Sequence, residues 1–423
     1  MMKVVLSNVV NGCRVGSITE LGRHGNRVLE FPGCLLYTRC GAAPHLTYDV
    51  LQKVDGLPTG AQLTLPTLAE QHHVVQDFQQ GIGKFTGMED FFQYCSVQDP
   101  AVREATGYNF NKGVSVWGSG GRIKLEVADF MAIQKAFCPD WYQCLCDGDT
   151  TSPDTSNKRL RKSVDRTLNF LDECLEIHQK SQELKGSEIL GVIEGGDLLE
   201  ERLRSARETC KRPVAGFVLD GFQSFAMERE TRKNLLKAVL EVLPEDKPRI
   251  IHAASRPDEV LEAVECGVDL FDSSFPFQVT ERGCALVFPF SKRAASDVSD
   301  ETMIHSLDDS SQETTENQQT RGLNEDTLPQ RTMFEIDLND REKYAWDFRP
   351  VLPGCSCYCC QNHSRAYIHH LLQTGELLAR VLLMMHNFHH YFGFFTAIRE
   401  SLQQGTFQEL KATVTQSQGT NCK

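Results

Sequence analysis

The chain has 423 residues, a net charge of −13 at pH 7, 40% apolar and 24% charged side chains. This is the composition of a soluble globular protein, long enough for one large domain with an appendage or for two domains. No apolar run approaches the roughly 18–20 residues that a membrane span needs. The acidic balance argues against a nucleic-acid surface unless basic residues gather locally. Lys158, Arg159, Arg161, Lys162 and Arg166 are one such cluster, the solvated start of a helix being its plainer reading. Sixteen cysteines without a secretory leader read as reduced thiols, which leaves peripheral attachment to a membrane open.

Residues 1–60 are short apolar runs punctuated by glycine, with Gly22-Arg23-His24-Gly25 as a turn, and suit a hairpin closing one end of a barrel. Residues 61–148 give a weaker signal. Val114–Trp117 and Arg122–Leu125 flank the turn Gly118–Gly121, and Ala128–Ala136 reads as an amphipathic helix. Residues 149–163 are expected to be an exposed loop, followed by a long helix over 163–184. The pattern then becomes regular: strand runs at 189–193, 214–219, 249–253 and 268–271 alternate with helices at 198–210, 229–242 and 257–265. Such alternation means βα units and a parallel sheet. A doubly wound sheet fits it too.

Residues 291–330 hold nine acids against three bases and almost nothing apolar. They read as a disordered acidic insertion. Residues 331–403 carry Cys355-Ser356-Cys357-Tyr358-Cys359-Cys360 and two helices, 364–372 and from Glu376 onward. The last stretch, 404–423, reads as a polar tail.

The C-x-C-x-x-C spacing of Cys355, Cys357 and Cys360 lets one turn aim three thiolates at one point, and Zn²⁺ completes a closed tetrahedron with a fourth ligand. A helical hairpin returns His386 to the cysteines. Its rivals are Cys359, His363, His369, His370, His389 and His390. The plainer reading, a run of buried free thiols, is a poor match for four cysteines in six residues. Barrel enzymes place their chemistry at the C-terminal ends of strands. Here Glu194, Asp220 and Asp272 follow strand runs, with Asp147 a further candidate. Each could equally cap the next helix.

Cys355-x-Cys357-x-x-Cys360, Ser364–Leu371, Gly375-Glu376 and His386-Asn387 together resemble the C-terminal zinc subdomain of the tRNA-guanine transglycosylases. The resemblance covers nearly the whole chain apart from 291–330, is strongest over 186–290 and 340–403, and implies an α/β fold, a (β/α)₈ TIM barrel over 1–290 with a helical zinc-binding subdomain at its C-terminal side. It further implies one structural Zn²⁺ held by Cys355, Cys357, Cys360 and His386, with Cys359 a non-ligand. Gly267–Asp272 is similar to the stretch ending in the family's nucleophilic Asp, making Asp272 a vestigial nucleophile. Gly191–Gly196 looks like the purine-binding strand, with Glu194 in place of Gln, and Asp147 falls near the base-binding Asp.

The departures matter as much. Against the family's Asp-Ser-Gly-Gly-Phe-Gln, which supplies the general base and a floor for the purine, the matching stretch is taken as Met88–Gln93, where only Phe92 and Gln93 survive. Gln278 stands where an Arg would steady RNA phosphate, and Phe217 where a small wall residue is expected. The resemblance therefore implies a non-catalytic member that pairs with a catalytic queuine tRNA-ribosyltransferase subunit through the zinc subdomain. In that pair it would help hold tRNA during guanine-to-queuine exchange, in the cytoplasm and peripherally at the mitochondrial outer membrane. The same surface would serve a homodimer. The alternatives are an active transglycosylase, with Asp272 as nucleophile and Asp90 or Glu89 as base, and a zinc-dependent RNA-binding module.

Overall fold

The computed structural model describes residues 2–22, 25–103, 107–150, 155–223, 226–290 and 332–416. The acidic segment expected to be disordered lies outside them. Eight parallel strands close into a barrel: Gly33–Tyr37, Gly60–Thr64, Phe92–Ser96, Trp141–Gln143, Glu188–Ile193, Gly216–Leu219, Arg249–Ile251 and Leu270–Asp272. The last pairs with the first, Leu270 opposite Gly33 and Asp272 opposite Leu35. Apart from half-buried Glu188, every strand residue is buried, as a parallel sheet covered on both faces requires. The expected (β/α)₈ barrel is the observed fold.

The helices that cover it follow from their apolar stripes. Asn157–Lys180 buries Leu160, Val164, Leu168, Leu171 and Leu175, a repeat of three to four residues. It begins earlier than expected because Ser156 caps it, its hydroxyl accepting from the Arg159 N–H at 3.3 Å. Part of the stretch read as an exposed loop is thus helix, and Thr150 before it is buried. Leu199–Cys210, Arg229–Val242 and Pro257–Cys266 cover the regular half of the barrel.

A three-stranded antiparallel sheet, Lys3–Val10, Cys13–Leu21 and Arg27–Phe31, precedes the barrel. Its first turn is Asn11-Gly12, with φ of 52° and 91°. Both residues must be left-handed in the tight hairpin turn that matches strand twist, hence the Asn-Gly pair.

After the eighth strand, Ser274–Glu281 leads into the antiparallel pair Cys284–Leu286 and Glu335–Asp337. The short helices Tyr358–Asn362 and Arg365–Gln373 follow, then a 28-residue helix, Leu377–Gln404. This long helix is buried on nearly every side, from Leu382 to Phe395. Asn387 ties it to the barrel: its side-chain oxygen accepts from Leu286 N at 2.8 Å and its amide donates to Thr280 Oγ1 at 2.9 Å. The stretch expected to be a polar tail instead holds a further helix, Phe407–Gln416, with Phe407, Leu410 and Val414 buried. Those three sit at helical spacing, a stripe short enough to pass for noise in a polar sequence. Among the described residues no helix is long and apolar enough to cross a membrane.

Candidate metal centre and the barrel mouth

Gly354, at φ 75°, turns the chain so that Cys355 enters the knuckle. Cys357 caps the helix Tyr358–Asn362, its sulfur accepting from Cys360 N at 3.4 Å, which fixes both thiols on one side. His386 comes up from the long helix. Its Nε2 lies 2.8 Å from the Leu286 carbonyl, so that nitrogen carries the proton and Nδ1 faces the sulfurs. Nδ1 stands 3.4 Å from Cys357 Sγ, 3.4 Å from Cys360 Sγ and 3.8 Å from Cys355 Sγ. Ligands about 2.3 Å (S) and 2.0–2.1 Å (N) from a tetrahedral zinc are ~3.5 Å apart, so the four donors fit a metal ion.

Most of the rivals lie or bond elsewhere. Cys359 packs in the subdomain's apolar cluster, where burial, with Cys357 and Cys355 next, pushes its thiol well up. His363 stacks on Tyr367, His369 Nδ1 meets the Leu338 carbonyl at 2.8 Å, and His370 is exposed. His390 Nε2 meets the Phe288 carbonyl at 3.0 Å, and His389, which faces Asp55 at 3.6 Å, is the one rival that also reaches a ligand, Cys355.

At the barrel mouth Asp272 is the last residue of its strand and 1% exposed. One oxygen accepts from Ser274 N at 2.9 Å, the other from Ala253 N at 2.7 Å. Ala253 makes its contact from a left-handed φ of 54°, a conformation a non-glycine residue holds at some cost. Both Asp272 oxygens are thus held by the protein's own backbone. Beside them lies an acid the sequence reading missed. Asp99 follows the third strand, accepts from the Tyr37 hydroxyl at 2.9 and 3.1 Å, and from Ala101 N at 2.9 Å. Burial, and secondarily the Asp272 charge, raises its carboxyl despite those bonds. Its only sequence signal is an acid just beyond the run Phe92–Val97.

Glu194 and Asp220 face each other, with Cys146 beside them, at the ends of their strands; donor atoms of all three lie within 4.8 Å of one another. Asp147 points the other way. Its oxygens take Arg159 at 2.9 and 2.6 Å, Arg166 at 2.8 Å and Asn109 Nδ2 at 2.9 Å. Burial opposes its ionisation, yet these donors hold the carboxyl below its usual range. Two members of the expected basic patch, Arg159 and Arg166, are therefore spent on Asp147 and not offered to phosphate.

Three expectations need correcting. Phe92 and Gln93 open the third strand, so with Met88–Phe91 they lie at the N-terminal end of the barrel, opposite Asp272. Gln93 N donates to Asp140, which precedes the fourth strand, and Phe92 packs edge-on against Trp141, the first residue of that strand. Neither touches a base pocket. Asp90 and Glu89 are exposed at that same end and cannot replace a base at the mouth. The local likeness was two letters, Phe-Gln, and strand register overrides it. Phe217 likewise sits low in its strand with Lys247 over its ring, so it does not wall the mouth. Gln278 is buried and donates to the Ala101 carbonyl at 3.0 Å; the loop after the third strand takes what an Arg there would offer to RNA.

A barrel of this topology, with its long closing helix rooted in a Cys₃His cluster, matches the queuine tRNA-ribosyltransferase family over residues 11–420. The chain belongs to that family. It is 54% identical over 418 residues to the Homo sapiens protein named queuine tRNA-ribosyltransferase accessory subunit 2, covering 98% of this chain and 99% of that one. The Gallus gallus protein of the same name is 54% identical over 416 residues, 98% and 96% of the two chains. That of Ixodes scapularis is 40% identical over 407 residues, 94% of each.

Proposed function

We propose that this chain is the non-catalytic accessory subunit of a heterodimeric queuine tRNA-ribosyltransferase. It supports exchange of guanine for queuine at the wobble position of tRNAs with GUN anticodons, those for Asp, Asn, His and Tyr, while its partner performs the chemistry. The observation that carries this is the near-full-length likeness to proteins named queuine tRNA-ribosyltransferase accessory subunit 2, with Asp272 buried and each of its oxygens accepting from a backbone N–H. In register with Asp99, Ala101-Val102 stand where the family's motif has a glycine pair to floor the purine.

The Cys₃His cluster takes Zn²⁺ in this reading. Four protein ligands leave no open position, so the ion fixes the subdomain without acting as a Lewis acid. The same subdomain exposes Trp346 (84%), Phe348 (73%) and Leu377 (75%), large apolar side chains of the kind that anchor interfaces. That is where the catalytic subunit docks, and where a homodimer would form in its absence. The complex works in the cytoplasm, attached peripherally to the mitochondrial outer membrane. One observation favours the alternative of an active transglycosylase: besides Asp272 at the end of the eighth strand, the barrel keeps a second buried acid, Asp99, just beyond the third. Exchange assays on a cognate tRNA separate the two readings. The accessory role predicts no exchange by this chain alone and exchange once a catalytic subunit is added; exchange by the purified chain alone would overturn it.

A further inference from the structure

Glu194 is 0% exposed, no donor group satisfies either of its carboxylate oxygens, and the side chain within hydrogen-bonding reach is another carboxyl, Asp220. Asp220 Oδ2 is likewise buried and unpartnered. Two such carboxylates facing each other are costly, because burying a charge without a partner is far less favourable than leaving it in water. The sequence backs this pair with bare backbone. A Cβ on Gly148 would fall 2.3 Å from Asp220 Oδ2 and 3.3 Å from Glu194 Oε1, so only glycine leaves the gap between them open. The third wall is the Cys146 sulfur, which accepts from Gln143 Nε2 at 3.5 Å. A thiol and two carboxylates, all buried, within 4.8 Å of one another form the donor set of a borderline divalent metal.

The geometry points to a second metal site at the barrel mouth, in which Cys146, Glu194 and Asp220 bind a divalent transition ion, Zn²⁺ being the fit. Charge supports it. A thiolate and two carboxylates carry three negative charges. Arg202, fully buried, donates to the Asp220 carbonyl at 2.6 Å and the Ile193 carbonyl at 2.8 Å and supplies one positive charge. The remaining two are what a divalent cation neutralises. Asp147 does not enter the sum, since Arg159 and Arg166 already balance it. Donor atoms bound to one tetrahedral zinc stand ~3.5 Å apart, inside the 4.8 Å within which these three donors already lie. The competing arrangement is a proton shared between the two carboxyls; burial, with Asp220 next, pushes the Glu194 carboxyl well above its ordinary range. With three protein ligands the site keeps an open position, unlike the Cys₃His cluster.

Metal content of the full chain decides between them. The protein is expressed in zinc-supplemented medium, dialysed and analysed by inductively coupled plasma mass spectrometry. The site predicts one zinc equivalent beyond that of the Cys₃His cluster. Glu194→Gln with Asp220→Asn removes one equivalent, Cys357→Ser removes the other, and circular dichroism reports that each variant is folded. After Co²⁺ substitution, Cys146→Ser abolishes one of two sulfur-to-cobalt charge-transfer contributions. A single equivalent in the unmodified chain at zinc saturation, lost on Cys357→Ser, overturns the proposal whatever the mouth variants do. So does a second equivalent that survives Glu194→Gln with Asp220→Asn in folded protein.

Discussion

Replacing Asp147 by alanine tests what that residue does. Its side chain is 1% exposed and accepts two bonds from Arg159, one from Arg166 and one from Asn109. Deleting it strands two guanidiniums, one 25% and the other 11% exposed. Removing one partner of a buried ion pair costs about 3–5 kcal/mol, and because Arg159 can regain water a loss of about 3 kcal/mol is the working value. Equilibrium urea unfolding, followed by the fluorescence of buried Trp141, measures it. Asp147→Asn, which keeps an acceptor and loses the charge, should cost about half as much. A pH series adds a signature. The folded carboxyl is held below its ordinary value, so its stabilisation is full above about pH 4 and fades as pH falls through the folded pKa. Asp147→Asn should flatten that part of the curve. A change below about 1 kcal/mol in Asp147→Ala would refute the account, because a carboxylate kept for base recognition can be deleted with little effect on folding.

Other outcomes follow from the same structure. Cys357→Ser, or a strong chelator, should release the bound zinc and raise hydrogen exchange across residues 355–386, while the barrel strands stay protected; uniform loss would mean that the ion holds the whole fold. Trp346→Asp with Phe348→Asp should leave the free chain within about 0.5 kcal/mol of its stability. The same pair should weaken association with the catalytic subunit by about tenfold or more, measured by calorimetry. Glu265 joins the C-terminal helix to its neighbour through Lys411 at 2.9 Å, Lys233 at 3.1 Å and Gln408 at 3.2 Å. Burial opposes ionisation, but those donors lower its carboxyl to about 2. Its contribution is therefore present above the ordinary glutamate range and lost as pH falls towards 2, so exchange over 407–416 should rise in that window and lose its pH step in Glu265→Gln.

What the sequence made legible, and what it hid, divides along physical lines. From Glu188 to Asp272 the barrel strands are apolar runs between amphipathic helices, and they were read within a few residues. The first four strands were not. Gln62, Thr64, Gln93 and Ser96 are polar residues buried within them, where Gln62 donates to Ser96 at 3.0 Å. Such pairs satisfy each other inside the fold but break the apolar run that marks a strand. The fourth, Trp141–Gln143, is three residues long. The metal cluster was legible because three of its donors are close in sequence and the fourth is one helical hairpin away. The mouth was only half legible: Glu194, Asp220 and Asp272 end recognisable strands. Asp99 and the true end of the third strand could not be placed until Phe92 and Gln93 were known to open that strand.

In the proposed heterodimer the chemistry belongs to the partner. The most direct test is guanine-to-queuine exchange by the heterodimer, on a cognate tRNA, with Asp272→Ala introduced into this chain alone. Unchanged exchange, against loss when the catalytic subunit's own nucleophile is replaced, is the predicted result. Loss of exchange from Asp272→Ala in this chain, with the heterodimer intact by gel filtration, would contradict it and make this chain an enzyme.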